Sequence, residues 1–307
     1  MRDAFIKVLL NEARKDPSIF LITGDLGFGV LEEFASELPN QFLNSGVNEQ
    51  AMMGMAAGIA STGKRVFVYS IANFPTFRCL EQIRNDICLM NNSVVIVSLG
   101  AGYAYGSLGY THHALEDIAV MRALPNMEVV VPADPFETAL VTEFLTKTKK
   151  PSYLRLGKSN EPNIHKVKPN IKYGKFNEVI HGDSGTLLFV GSIGVVAELA
   201  REEILKRGYS VSVVSVPFLS NLDKEYLENA AHKGPIITIE EHSTRGGFGS
   251  AILEFLNVEK ITARVGMIAA DQKNLSLTGS QDFLRISNGI TSSRIANEFT
   301  KLVGFQR

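Results

Sequence analysis

Apolar runs of strand length alternate with amphipathic stretches of helix length through most of the chain, and this alternation constrains the fold more than any other feature. Strands joined through helices pair in parallel, because each crossover returns the chain to the same end of the sheet with both faces covered. In the first half the strand candidates are Ile19–Thr23, Gln41–Asn44, Arg65–Ser70, Val94–Leu99, Met127–Val131 and Ser152–Leu156. Ala4–Arg14, Glu49–Ser61, Cys79–Met90, Ile118–Ala123 and Pro135–Lys147 read as helices between them, the last opened by the start signal Asp134-Pro135. Gly157–Tyr173 carries Pro162, Pro169, Lys158, Lys166 and Lys168 without an apolar period and reads as a linker. Beyond it come strands Gly185–Gly191, Val211–Pro217, Pro235–Glu240 and Ile261–Gly266, and helices Gly194–Arg207, Lys224–His232, Gly247–Leu256 and Ser292–Leu302. The expectation is an α/β protein with two doubly wound domains, 1–156 and 174–307, joined by the linker 157–173. A chain of 307 residues is long enough for both cores.

Charge excludes some functions. Thirty-one Lys and Arg stand against thirty-two Asp and Glu, a formal net charge of −1, so no basic excess is available to neutralise a nucleic-acid backbone. The two cysteines, Cys79 and Cys88, fall in an expected buried helix and suit a reducing, cytoplasmic setting. Residues 1–17 mix charges with helical apolar spacing, unlike a signal peptide. The longest uncharged stretch, Met90–Ala114, is broken by Gly100, Gly102, Gly106 and Gly109 and is a poor membrane span.

Four segments carry the polar residues of interest. Gly24, Gly27 and Gly29 follow the first strand without the spacing of a dinucleotide loop and read as a sharp turn, with Asp25 at the carboxyl end of that strand. Glu49 opens a helix of small and apolar residues, where the helix dipole favours a carboxylate and burial would raise its pKa. An ordinary first-turn glutamate and a buried proton-transfer group are equally compatible with that position. His112 and His113 sit in a glycine-rich loop after an apolar strand, where catalysis, metal binding and plain exposure all remain open. Metal is the least supported, since no Cys or His partner stands at ligand spacing. Glu240-Glu-His-Ser-Thr-Arg-Gly-Gly ends a strand of the second domain, a place for an interface or a substrate channel.

Together these segments resemble the carboxy-terminal half of transketolase, in order and over nearly the whole chain. Gly46-Val-Asn-Glu-Gln-Ala-Met52 is similar to the family's Gly-Ile-Arg-Glu-His-Ala-Met, Thr111-His112 to its Pro-Thr-His, and Glu240-Glu-His-Ser-Thr-Arg-Gly-Gly247 to its Glu-Glu-His-Ser-x-x-Gly-Gly. The resemblance implies a pyrimidine-binding domain followed by the transketolase C-terminal domain, and thiamine diphosphate as cofactor. It implies that Glu49 hydrogen-bonds a pyrimidine ring nitrogen and promotes the imino tautomer that activates the thiazolium carbon. It places Phe74 and Phe77 against the pyrimidine, with Phe77 the better stacking partner, and Asp25 near the thiazolium. His112 would handle substrate hydroxyl protons, and Lys158 and His242 would join it in binding substrate.

Full-length relatives grip the diphosphate and its magnesium through a Gly-Asp-Gly motif and a later Asn, and this sequence contains no Gly-Asp-Gly. The expectation is therefore a split enzyme. A separate amino-terminal subunit would hold the diphosphate and Mg2+ or Ca2+, and two copies of each chain would form a heterotetramer. The family's Asp-Gly-Pro-Thr-His is Leu108-Gly-Tyr-Thr-His here, and Lys158 replaces a phosphate-binding Arg whose bidentate fork a lysine cannot make. These departures point to transfer of a two-carbon ketol unit between specialised sugars. The alternatives are a decarboxylating synthase, a 2-oxo acid dehydrogenase beta-type subunit, or a non-catalytic regulatory paralogue.

Overall fold

The computed structural model describes residues 1–271 and 275–304. Strands β1 (Ile19–Thr23), β2 (Phe42–Asn44), β3 (Arg65–Ile71), β4 (Val94–Leu99), β5 (Glu128–Val130) and β6 (Ser152–Leu156) form one all-parallel sheet in the order β2-β1-β3-β4-β6-β5. Alternate residues feed opposite faces. Leu21, Phe67, Val95 and Val97 pack on one side with Phe5, Leu9, Val141 and Leu145, contributed by helices Arg2–Ala13 and Pro135–Lys147. Ile22, Val66, Val68 and Ile96 pack on the other with Met52, Ala56 and Ile87. Burial on both faces explains why β3 and β4 read as unbroken apolar runs.

A second sheet contains β7 (Asn177–Ile180), β8 (Thr186–Phe189), β9 (Ser212–Ser215), β10 (Ile236–Ser243) and β11 (Val265–Ala270), ordered β11-β10-β8-β9-β7. Its ladders are parallel except that of β7, which runs antiparallel to β9 at the edge. β7 was not expected from sequence, because an edge strand with half its surface in solvent lacks the apolar run of its neighbours. The expected strand Ile261–Gly266 also shifts, to β11. Lys260 takes φ +60° at the end of helix Phe248–Val258 and the Ile261 amide bonds back to Leu256, so 261 serves the helix cap. The expected helix Cys79–Met90 is a short α-turn, Leu80–Gln82, continuing into π-helical turns over Ile83–Leu89. Asn92 and Asn126 side chains donate to the Asp86 and Cys88 carbonyls there, satisfying acceptors near the irregular turns. Both cysteines are free and buried, and burial raises the Cys79 thiol to about 12 and the Cys88 thiol to about 11. No helix of the described residues is long and apolar enough to cross a membrane.

The two sheets share one seam. Val129 and Val131 of the first domain pack in the same cluster as Leu188, Val214 and Phe248 of the second. Backbone bonds cross it, from Val131 to the Pro217 carbonyl, from Leu219 to Val129 and from Ser243 to Leu115. Residues 157–173 form no helix or strand, yet Ile164 and His165 within them are buried at the seam. His165 Nδ1 lies 2.7 Å from Asp134 Oδ2, and Asn177 Nδ2 lies 2.7 Å from His165 Nε2 and donates to Glu137 Oε1 at 3.0 Å. Burial disfavours the His165 cation, but the Asp134 hydrogen bond and the charges of Glu137, Asp134 and Glu198 outweigh it and raise the pKa above 6.5. A raised histidine pKa stabilises the fold fully below the unfolded value and loses that contribution as pH rises through the folded value. His165→Gln is therefore expected to flatten the fall in Tm with rising pH just above 6.5, as read by thermal melts of the two proteins across that window. Parallel curves for both would remove His165 from the linkage.

Candidate active site

Parallel strands deliver their carboxyl ends to one edge, and the loops that leave β1, β2, β3 and β4 carry most of the residues singled out in the sequence. Asp25 follows β1 with φ +58°, held there as its amide donates to Asn44 Oδ1 (2.9 Å) and Asn44 Nδ2 donates back to its carboxylate (3.1 Å). Glu49 begins the helix Glu49–Ser61 because the Asn48 side chain caps it, accepting from the Ala51 amide. Packing of that helix against the sheet leaves Glu49 only 4% exposed. Its Oε2 lies 2.7 Å from Arg78 Nη1, a side chain half exposed to solvent.

The loop after β3 supplies Phe74 and Phe77, and the loop after β4 returns over it. Asn73 Nδ2 clamps the two together by donating to the Thr111 (3.0 Å) and His113 (2.8 Å) carbonyls. Between them lies a cleft of about 490 Å³ lined by Asn73, Phe74, Phe77, Arg78, Tyr110, Thr111, His113 and Glu116. Phe74 meets His112 edge-on, ring centroids 5.3 Å apart at 76°, while Arg78 Cζ stands 5.1 Å from the Phe74 centroid. The two histidines are unlike. His113 is buried with Nε2 3.2 Å from the Gly106 carbonyl and packs edge-on to Tyr103, whereas His112 is half-buried beside Phe74.

Residues 1–163 match the family described as transketolase, pyrimidine binding domain, and residues 174–279 that described as transketolase, C-terminal domain. The chain belongs to the transketolase family. It is 36% identical over 267 residues to an apulose-4-phosphate transketolase subunit of Phocaeicola vulgatus, covering 86% of each chain. It is 29% identical over 313 residues to a 6-deoxy-6-sulfo-D-fructose transketolase subunit of a Clostridium species, covering 100% of this chain and 96% of that one. The solved structure of a split gene transketolase, described as an inactive beta4 tetramer, superposes with a TM-score of 0.91 at 31% identity, covering 100% of this chain and 99% of that one.

The cleft of this transketolase-family chain fits the aminopyrimidine part of thiamine diphosphate. It combines aromatic walls, the Arg78 guanidinium that pairs with the nearly buried Glu49, and Asn73 Oδ1, a buried acceptor with no partner. No group of three or more His, Cys, Asp or Glu among the described residues is arranged to hold a metal ion.

Two expected substrate residues lie elsewhere. Lys158 follows β6 and lines a separate depression of about 320 Å³ with Glu161, Ser192, Gln281 and Arg285. His242 is fully enclosed because β10 runs to Ser243 and carries it into the seam. There the Ala119 amide donates to its Nε2 (3.4 Å), and its Nδ1 lies 2.8 Å from the Ser243 carbonyl. Substrate contact at His242 is accordingly replaced by a packing role. The flanking carboxylates are also occupied. Glu240 accepts from the Phe248 (2.6 Å) and Gly249 (2.8 Å) amides at a helix start, where a Cβ on Gly247 would strike it. Glu241 accepts from the Tyr103 amide, from Gln281 (3.0 Å) and from Arg285 (2.6 Å), so it anchors the loop that leads to His112. Sequence reasoning missed Asn73 and Arg78, although they flank the two phenylalanines directly.

Proposed function

We propose that this chain is the pyrimidine-binding subunit of a thiamine diphosphate-dependent transketolase that moves a two-carbon ketol unit between specialised sugars. A separate chain completes it with the diphosphate and magnesium site, in a cytoplasmic heterotetramer of two copies of each. The observation that carries this reading is the pairing of a nearly buried Glu49 with an aromatic cleft at the carboxyl edge of the sheet. Bound thiamine diphosphate supplies the nucleophilic carbon and electron sink for breaking and remaking a carbon–carbon bond. Glu49 would hydrogen-bond a ring nitrogen of the pyrimidine and hold a proton there. Phe74 and Phe77 would pack on the pyrimidine and keep water from it, and Asp25, at the end of β1, would serve the thiazolium part. His112 moves protons at sugar hydroxyls, with Thr111 Oγ1 3.0 Å from its Nδ1 to fix the ring.

The specialised substrate is supported by Leu108, which is 55% exposed where the family carries a carboxylate, and by the names of the two relatives above. Co-purification with a candidate partner carrying Gly-Asp-Gly, followed by turnover on branched, sulfonated and ordinary ketose donors, tests the reading. Ketol transfer supports it, and pyruvate consumption with carbon dioxide release overturns it. In that complex His112→Ala is expected to lower kcat/KM for the donor about 10²-fold with cofactor affinity unchanged. Loss of cofactor binding instead would place His112 in the cofactor site.

A further inference from the structure

Arg78 lines the cleft and bonds the two groups expected to receive the pyrimidine. Its guanidinium donates to the Glu49 carboxylate at 2.7 Å and lies over the face region of Phe74, Cζ 5.1 Å from the ring centroid. A flat, cationic group that bonds edge-on to a carboxylate and packs on an aromatic ring satisfies the same two demands as an aminopyrimidine. We propose that Arg78 is a placeholder for the aminopyrimidine: it pairs with Glu49 while the cofactor is away and must swing out for the cofactor to bind. The inference rests on the reading of Glu49 as the pyrimidine ligand.

Three observations support a swinging role. The Arg78 side chain is 51% exposed, so its outward movement regains hydration for the charge it leaves. Its main chain stays anchored when the side chain leaves, because Gln50 Nε2 donates to the Arg78 carbonyl at 3.2 Å. Glu49 has 5% of its side chain exposed, and a carboxylate that deep is costly without a partner. Arg78 therefore keeps the cofactor-free chain stable and sets a competition that the cofactor has to win. Exchange of one planar donor for another lets Glu49 remain paired in both states.

The test uses the full chain and calorimetric titration with 4-amino-5-hydroxymethyl-2-methylpyrimidine, the pyrimidine fragment alone, so that no partner chain is needed. Arg78→Ala is expected to bind the fragment about 10-fold tighter than wild type while its fragment-free Tm falls. Arg78→Lys, which keeps the charge and loses the flat fork, is expected to fall between the two. Added salt should strengthen fragment binding to wild type and leave Arg78→Ala unaffected, because it weakens only the competing ion pair. A merely structural ion pair would lower Tm without changing affinity, and equal or weaker binding by Arg78→Ala overturns the placeholder. Heat from none of the proteins does so too, since freeing Glu49 would then not create a pyrimidine site. Glu49→Gln separates the two readings. Fragment affinity equal to wild type in that variant removes Glu49 as the ligand, whereas lost affinity there with no gain in Arg78→Ala removes the placeholder alone.

Discussion

Glu49→Gln is expected to lower kcat of the reconstituted enzyme about 10³-fold at saturating cofactor, within the usual range for removing a group that places a proton in the transition state. Glutamine preserves the volume at the start of the helix Glu49–Ser61 and removes only the ability to hold a proton on the pyrimidine nitrogen. Stability should change little. The ion pair with Arg78 is lost, but the neutral amide leaves no charge buried at a position 5% exposed, and the half-exposed Arg78 regains water. The effect should therefore appear in turnover with a nearly unchanged Tm. Turnover within a few-fold of wild type would show that Glu49 serves the helix rather than the chemistry. The buried position makes this the sharpest substitution in the chain, because an exposed carboxylate would spend its acceptors on water.

The second large effect concerns the seam. Asp117 is fully buried and accepts from Arg155 Nε (2.7 Å), Arg155 Nη2 (3.2 Å) and the Tyr153 hydroxyl (2.6 Å). Arg155 also donates to the Ala114 carbonyl at 2.7 Å and to the Glu241 carbonyl at 3.1 Å, so one side chain joins β6, the loop after β4 and the strand β10 of the other domain. Burial alone would raise the Asp117 carboxyl, but the Arg155 guanidinium outweighs it and holds it below the ordinary carboxylate range. Arg155→Met leaves that carboxylate and two carbonyls without their partner. The expected cost is about 3–5 kcal/mol, the range for breaking a buried pair by removing one member. At roughly 2 °C per kcal/mol for a chain of this size, Tm should fall by about 6–10 °C. A second change, Asp117→Leu, should recover part of the loss, since two apolar groups leave no orphan charge. A fall of under about 2 °C in the single variant would mean that water replaces the guanidinium at the seam.

Most elements were legible because their causes are local. Ile19–Thr23, Val94–Leu99, Ser152–Leu156, Glu49–Ser61 and Pro135–Lys147 keep the bounds that apolar runs and caps indicate. The misreadings arise from a distant edge, a local cap and short length. β7 forms because β9 offers it an edge, and 261–264 miss the sheet because the preceding helix claims Ile261 for its cap. Helices Glu32–Glu37 and Gln281–Ser287 escaped notice because six or seven residues are too few for an apolar period to show.

At the site, motif order and spacing along one chain identify the family and single out Glu49, Phe74, Phe77 and His112. The tertiary structure alone decided what each of these faces. It buried Glu49 against Arg78, enclosed His113 behind the cleft wall it helps to form, left His112 half-buried beside Phe74, and closed His242 inside the seam. A motif records residue type and spacing along the chain, whereas exposure and pairing are set by segments that are distant in sequence. Glu49 and Arg78 lie 29 residues apart, and Asp117 and Arg155 38, so only the folded sheet brings either pair within a hydrogen bond.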